Sequence, residues 1–179
     1  MPIFSLAAHP AFPPTSVCSV EVELTANDWK NVLLDFRITG ESVVIPEWRT
    51  PSRADGLWKS TCFEAFLKIP GLDPYYEFNF SPSGRWAAYA FDGYRNERRD
   101  LELAVAPHVE VDPNGPLRFS VDLDLSDTPN IPMLASITAV VEERDGTMSY
   151  WATAHPPGDK PDFHHADCFV IEFSAARQA

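Results

Sequence analysis

The sequence predicts an all-β protein, a jelly-roll-like two-sheet antiparallel β-sandwich, and three observations point there. Short alternating or β-branched segments recur along all 179 residues, Pro, Gly, Asp and Asn separate them, and no stretch sustains a helical period. Ten or eleven short strands are too many for one open sheet of this size, and two packed layers bury them better. Composition agrees. A chain that is 45% hydrophobic and 12% aromatic is globular, and its length suits one domain spanning residues 1–179.

In chain order the expected strands are 16–24, 32–38, 42–45, 61–69, 75–80, 85–91, 101–111, 117–125, 133–142, 147–153 and 168–173. Residues 27–35 and 101–105 could each hold a helical turn, yet both also fit strands or loops. Most of the seventeen prolines bound these segments, at 10–14, 70–74, 113–116, 129–132 and 156–161. Proline is tolerated there because no ladder donor is lost. No repeat, low-complexity tract or linker interrupts the series.

The most informative stretch is 75–95, YYEFNFSPSGRWAAYAFDGYR, read as a β-hairpin turning at Ser81-Pro82-Ser83-Gly84. A four-residue connection sets Phe80 opposite Arg85, Asn79 opposite Trp86 and Glu77 opposite Ala88. One face then carries Tyr76, Phe78, Phe80, Ala87, Tyr89 and Phe91, which is core material. The other carries Tyr75, Glu77, Asn79, Trp86, Ala88 and Ala90, a carboxylate and an amide beside a Trp, which suits ligand contact. In the preceding strand Phe63, Ala65 and Leu67 alternate with Cys62, Glu64 and Phe66. If Phe66 lies opposite Tyr75, Glu64 falls opposite Glu77, and the two carboxylates either raise a pKa or recruit a cation such as Arg53, Arg85 or Arg95.

The loop at 48–60 offers Trp48, Arg49, Arg53 and Trp58, flat faces and forked donors that suit a sugar ring and its hydroxyls. A second rim segment at 150–167 contains His155, His164 and His165, whose spacing matches no HxH or HExxH metal motif. Cys18, Cys62 and Cys168 are odd in number and far apart, so free buried thiols are expected in place of a disulfide framework. The net charge of −12 argues against nucleic acid and anionic membranes as partners and favours a neutral or cationic ligand. The start MPIFSLAAHPAFPP lacks a basic, unbroken apolar leader, and no apolar run of about 20 residues is present, so a soluble cytoplasmic protein is expected. Any protein partner is left open.

The segments 56–69, 75–95 and 150–173 together resemble the DOMON-like domains related to family 9 carbohydrate-binding modules, over about two-thirds of the chain as an order of strands. Trp58, Glu64 and Tyr76-Glu77-Phe78, followed by Asn79, Ser81, Pro82 and Gly84, carry the resemblance most sharply. It implies a β-sandwich that binds a small ligand, a sugar in the carbohydrate-binding branch and haem in other DOMON relatives. By position it implies Trp58, Glu64, Glu77 and Asn79 as site residues, with Arg95 and Trp151; Trp86 joins them from the hairpin reading. The chain departs from the family in having Ser60 and Thr61 where related modules often carry an aspartate.

Four functions compete on these residues. A non-catalytic module for a carbohydrate or similar polyhydroxylated ligand uses the aromatic and carboxylate groove. A glycoside-active enzyme would use Glu64 and Glu77, although neighbours on one sheet face do not naturally flank a bond. A haem or electron-transfer module would draw axial ligands from Met133, Met148, His108 or His155, without any CxxCH. The rim could also serve as a protein-interaction surface. Binding of a sugar-like ligand, without a metal or other cofactor, is the leading expectation.

Overall fold

The computed structural model describes residues 2–112, 114 and 116–173, so Pro113 of the proline-bounded turns and the ends of the expected 1–179 span lie outside the described residues. Among the described residues twelve strands form: β1 Ile3–Ala8, β2 Val17–Ala26, β3 Asn31–Gly40, β4 Cys62–Lys68, β5 Tyr75–Phe80, β6 Trp86–Phe91, β7 Arg99–Asp100, β8 His108–Asp112, β9 Leu117–Asp124, β10 Met133–Glu142, β11 Met148–Ala152 and β12 Ile171–Phe173. They order as β7-β6-β5-β4-β10-β11-β1-β2-β3-β9-β8, with β12 beside β10, and every strand pair is antiparallel. Strand β1 joins the two halves, pairing with β2 through residues 3–6 and with β11 through Ala7 and Ala8. The sheet therefore curls on itself.

The main core fills the space between the halves. Phe36 of β3 and Phe119 of β9 meet Phe63 of β4, with ring centroids 4.5 Å and 4.4 Å apart. Alternating Val20, Val22, Leu34, Ile38, Val121 and Leu123 from one half pack against Ala65, Phe78, Phe80, Ile137 and Ala139 from the other. Strand β4 is buried on both faces from Cys62 to Leu67. Its second face lies under a smaller cluster in which Phe66, Tyr75, Tyr89, Phe91 and Val140 meet Phe163 and Phe169 of the segment between β11 and β12. A strand covered on both sides reads as near-continuous apolar sequence, as CFEAFL does apart from Glu64.

Several expected elements change. Strand β1 was not among the expected strands, which began at residue 16. The expected strand at 42–45 reduces to one bridge, Val43 to Glu143, because Ser42 sits at φ 66° and Pro46 follows. The expected strand at 101–111 survives only as β8. Upstream of Pro107 the backbone finds partners off the ladder, Leu101 N–H donating to Ala88 O and Ala104 N–H to Asp127 Oδ2. Residues Ala166–Cys168 form a 3₁₀ turn ahead of β12.

The hairpin register is the consequential correction. Ser81 N–H donates to Arg85 O and Gly84 N–H to Ser81 O, which closes a three-residue loop of Pro82, Ser83 and Gly84 with Gly84 at φ 84°. This is the three-residue hairpin with glycine in the left-handed position. Phe80 consequently pairs with Trp86, Asn79 with Ala87 and Glu77 with Tyr89, one residue away from the four-residue count. That slip exchanges the faces of β6. Ala87, Tyr89 and Phe91 join Glu77 and Asn79, while Trp86 and Ala88 turn to the main core.

A Cβ at Gly84 would stand 3.0 Å from Arg49 O and 3.0 Å from the Trp48 ring, at a φ that side chains rarely adopt. Gly84→Ala is expected to cost ~1–3 kcal/mol of unfolding free energy. Urea unfolding measures it, and an unchanged midpoint would show that the turn does not need glycine.

Candidate functional site

The floor of the site is the second face of β4, β5, β6 and β10. Directly paired residues in adjacent antiparallel strands share a face, so the ladder aligns Thr138, Glu64, Asn79 and Ala87 in one row and Ser136, Phe66, Glu77 and Tyr89 in the next. The expected Glu64–Glu77 opposition becomes a diagonal, since Glu64 faces Asn79 and Phe66 faces Glu77. A two-residue shift preserves the face, and both carboxylates line one cavity of about 460 Å³. Thr138 Oγ1 donates to Glu64 Oε2 at 2.9 Å, and Asn79 Nδ2 donates to Glu77 Oε1 at 2.7 Å. Among the described residues nothing donates to Glu64 Oε1 or Glu77 Oε2, although the side chains' residues are only 3% and 5% exposed.

Aromatic side chains wall this floor. Phe91, Tyr150 and Phe163 line the cavity, and Trp58 enters from a 3₁₀ turn, Leu57–Lys59, preceded by Gly56 at φ 71°. Arg98 completes one side, its guanidinium 4.7 Å from the centre of the Tyr89 ring. The back wall is tied by polar contacts between the β6–β7 and β11–β12 connections. Arg95 Nη2 donates to Asp162 Oδ1 at 2.8 Å, and Tyr94 Oη donates to Asp162 Oδ2 at 2.6 Å. Tyr75 Oη accepts from Arg95 N–H at 3.2 Å and lies 2.8 Å from His164 Nδ1. Among the described residues His164 Nδ1 is the one acceptor within reach of the Tyr75 hydroxyl, and donation to it leaves the imidazole proton on Nε2, 3.9 Å from Glu77 Oε2.

Electrostatics follow from burial. Desolvation, then the neighbouring Glu77 charge, pushes the Glu64 carboxyl up to about 8 against the Thr138 hydrogen bond. Glu77 is also raised by desolvation, opposed by Asn79 and the charges of Arg98 and Arg95. Desolvation and then Arg95 press His164 down to about 4, so it is neutral near pH 7. The pocket holds at least one carboxyl that readily keeps a proton beside a neutral imidazole donor.

Of the residues singled out from sequence, Trp58, Glu64, Glu77 and Arg95 meet in this cavity. Asn79 is fully buried behind it and orients Glu77. Trp86 does not join them: the hairpin register turns it toward the main core, against which it packs. Trp151 is also in the core, paired with Ala139, its Nε1–H donating to Ser149 Oγ at 2.9 Å. Its neighbour Tyr150 takes the cavity side, as alternation along β11 requires. Arg53 bonds Ala88 O and Asp100, and Arg85 does not line the cavity, so neither answers the carboxylate pair. Sequence reasoning missed Arg98, Tyr150, Phe163 and His164. Only Tyr150 carried a usable signal, since in a strand it and Trp151 must face opposite ways.

The side chains considered for haem iron lie elsewhere. Met133 is in the main core, Met148 packs on the second cluster, His108 is exposed on β8, and His155 Nε2 is 2.8 Å from Ala7 O. None of them lines the cavity. Among the described residues no group of three or more His, Cys, Asp or Glu side chains is placed to hold a metal ion, and no helix is long and apolar enough to cross a membrane.

The shifted groups imply a pH dependence. An acid raised from 4.5 to about 8 holds its proton more tightly when folded, so Glu64 lowers stability as pH rises through that window. His164, lowered from 6.5 to about 4, raises stability as pH rises between those values. The two slopes cancel between about pH 4.5 and 6.5, so the protein should lose stability from about pH 6.5 to 8, and Glu64→Gln should flatten that loss and unmask a rise with pH below 6.5. Urea unfolding across pH checks both, and an undiminished alkaline loss in the variant would assign it elsewhere. Asp162→Ala, which frees Tyr94 and Arg95, should lower stability by ~1–3 kcal/mol.

No protein-family model and no curated protein matches the sequence. Among solved structures, a candidate carbohydrate-binding protein from Bacteroides uniformis superposes with a TM-score of 0.71 at 15% identity, covering 94% of this chain and 84% of that one. A family 9 carbohydrate-binding module from Caldicellulosiruptor kristjanssonii, in complex with cellotriose, gives 0.51 at 10% identity over 87% of this chain and 75% of that one. At these identities the likeness is one of fold, and the chain has the all-β fold of these proteins.

Proposed function

We propose that the protein is a non-catalytic binding module for a carbohydrate or similarly polyhydroxylated small ligand, held in the cavity between Trp58 and the Glu64–Glu77 floor. The observation that carries this reading is the pair of buried carboxylates, each presenting one undonated oxygen to an aromatic-walled space of about 460 Å³. That volume is in the range of small-molecule sites. Carboxylate oxygens accept short, strong hydrogen bonds from hydroxyls, and aromatic faces cover the CH-rich side of a sugar ring. His164 Nε2–H and Arg98 supply donors for ring and hydroxyl oxygens. The fold likeness to a module solved in complex with cellotriose supports the same ligand class.

Hydrolysis is the weaker reading of these carboxylates. Glycoside cleavage needs two acids flanking the scissile bond. Glu64 and Glu77 rise from adjacent strands on one floor and meet the same side of a ligand.

Titration with a panel of mono- and oligosaccharides, followed by Trp fluorescence and calorimetry, tests the proposal. Saturable binding at millimolar concentration or below is expected, and Trp58→Ala should weaken it by about tenfold, ~1.4 kcal/mol. Silence across the panel would overturn the reading.

A further inference from the structure

We propose that the ligand of this cavity carries a primary ammonium group, as a free amino sugar does, and that Glu64 and Glu77 receive it together. This rests on the carbohydrate reading and narrows its substrate class. The first argument is a charge count. Around the cavity stand the carboxylates of Glu64, Glu77 and Asp162 against the guanidiniums of Arg95 and Arg98, with His164 neutral. Near pH 7 Glu64, pushed up to about 8 by burial and then by Glu77, holds its proton and the remaining charges balance; a cation arriving at Glu64 favours its ionised form, and the negative charge so released has no partner in the protein.

The second argument is where the cations are. Arg95 is committed to Asp162, and Arg98 lies over Tyr89. Among the described residues no Lys or Arg nitrogen comes within 4.0 Å of either floor carboxylate, and the nearest basic nitrogen is His164 Nε2 at 3.9 Å from Glu77. Buried carboxylates are stable when a cation pairs with them, and here the protein supplies none at contact distance. The third argument is the imbalance of donors and acceptors. Glu64 Oε1 and Glu77 Oε2, both on residues that line the cavity, lack donors. An ammonium group brings three donors and one positive charge. A hydroxyl brings one donor and no charge. The faces of Trp58, Phe91, Tyr150 and Phe163 add the negative ring potential that favours a cation nearby.

Calorimetric titration of the full chain at pH 7 with glucosamine, N-acetylglucosamine, glucose and cyclohexylamine separates the two readings. Glucosamine is expected to bind at least about tenfold tighter than glucose, and N-acetylation, which removes the charge, should abolish the gain. Glu64→Gln and Glu77→Gln, each checked for folding by circular dichroism, should bring the glucosamine-to-glucose ratio close to one. Saturable glucose binding equal to or tighter than that of glucosamine would overturn the ammonium inference and leave the carbohydrate reading standing. A preference for glucosamine that survives both substitutions would overturn the assignment to Glu64 and Glu77. Binding of cyclohexylamine with all three sugars silent would uphold the ammonium site and overturn the carbohydrate reading. Silence from all four would overturn both.

Discussion

The three-residue loop between β5 and β6 is the constraint on which the site depends. With Gly84 in the left-handed region, Pro82, Ser83 and Gly84 bring Phe80 opposite Trp86. Because side chains alternate, that one choice decides which half of β6 joins the cavity. Tyr89 and Phe91 come to stand beside Glu77 and Tyr75, where Tyr89 carries Arg98 and the Phe91 ring stacks on Tyr75 at 4.6 Å. Trp48 closes over the same glycine, so the loop is held from outside as well.

The floor runs against the usual economy of a β core. Glu64, Asn79, Glu77, Ser136 and Thr138 form a buried polar patch in the middle of a sheet half whose other face is apolar. Desolvating such groups is unfavourable, and only some of their hydrogen-bonding capacity is met within the chain. The aromatic contacts of Phe36, Phe63 and Phe119 on the opposite face, and of Phe66, Phe163 and Phe169 around the patch, offset that cost. The arrangement keeps a recognition surface rigid on strands, where its geometry is set by the ladder and not by a loop.

Much of this was legible because strands write their faces into sequence. The all-β class followed from alternation and turn residues, and β5 and β10 have the bounds their patterns suggested. Glu64, Glu77 and Asn79 were placed on one face correctly even though the β4–β5 register was wrong, because the error was two residues and the period is two. Trp86 failed for the complementary reason, an error of one residue in loop length. Trp151 failed because a Tyr-Trp pair in a strand cannot reveal which member faces inward until its partners, Ala8 and Ala139, are known. His164, Phe163 and Arg98 sit in connections without periodicity, and their approach to the floor is set by tertiary contacts alone.

Those contacts span long stretches of chain. Thr138 reaches back 74 residues to Glu64, Asp162 reaches 68 to Tyr94, and His164 reaches 89 to Tyr75. Bringing distant segments together is entropically slow, and each closure gains little until the others are in place. The cavity is thus complete only when segments far apart in the chain have all docked. During synthesis the floor strands β4, β5 and β6 emerge before β10 and the segment carrying Asp162 and His164, so until then neither Thr138 nor His164 is there to meet Glu64 and Tyr75.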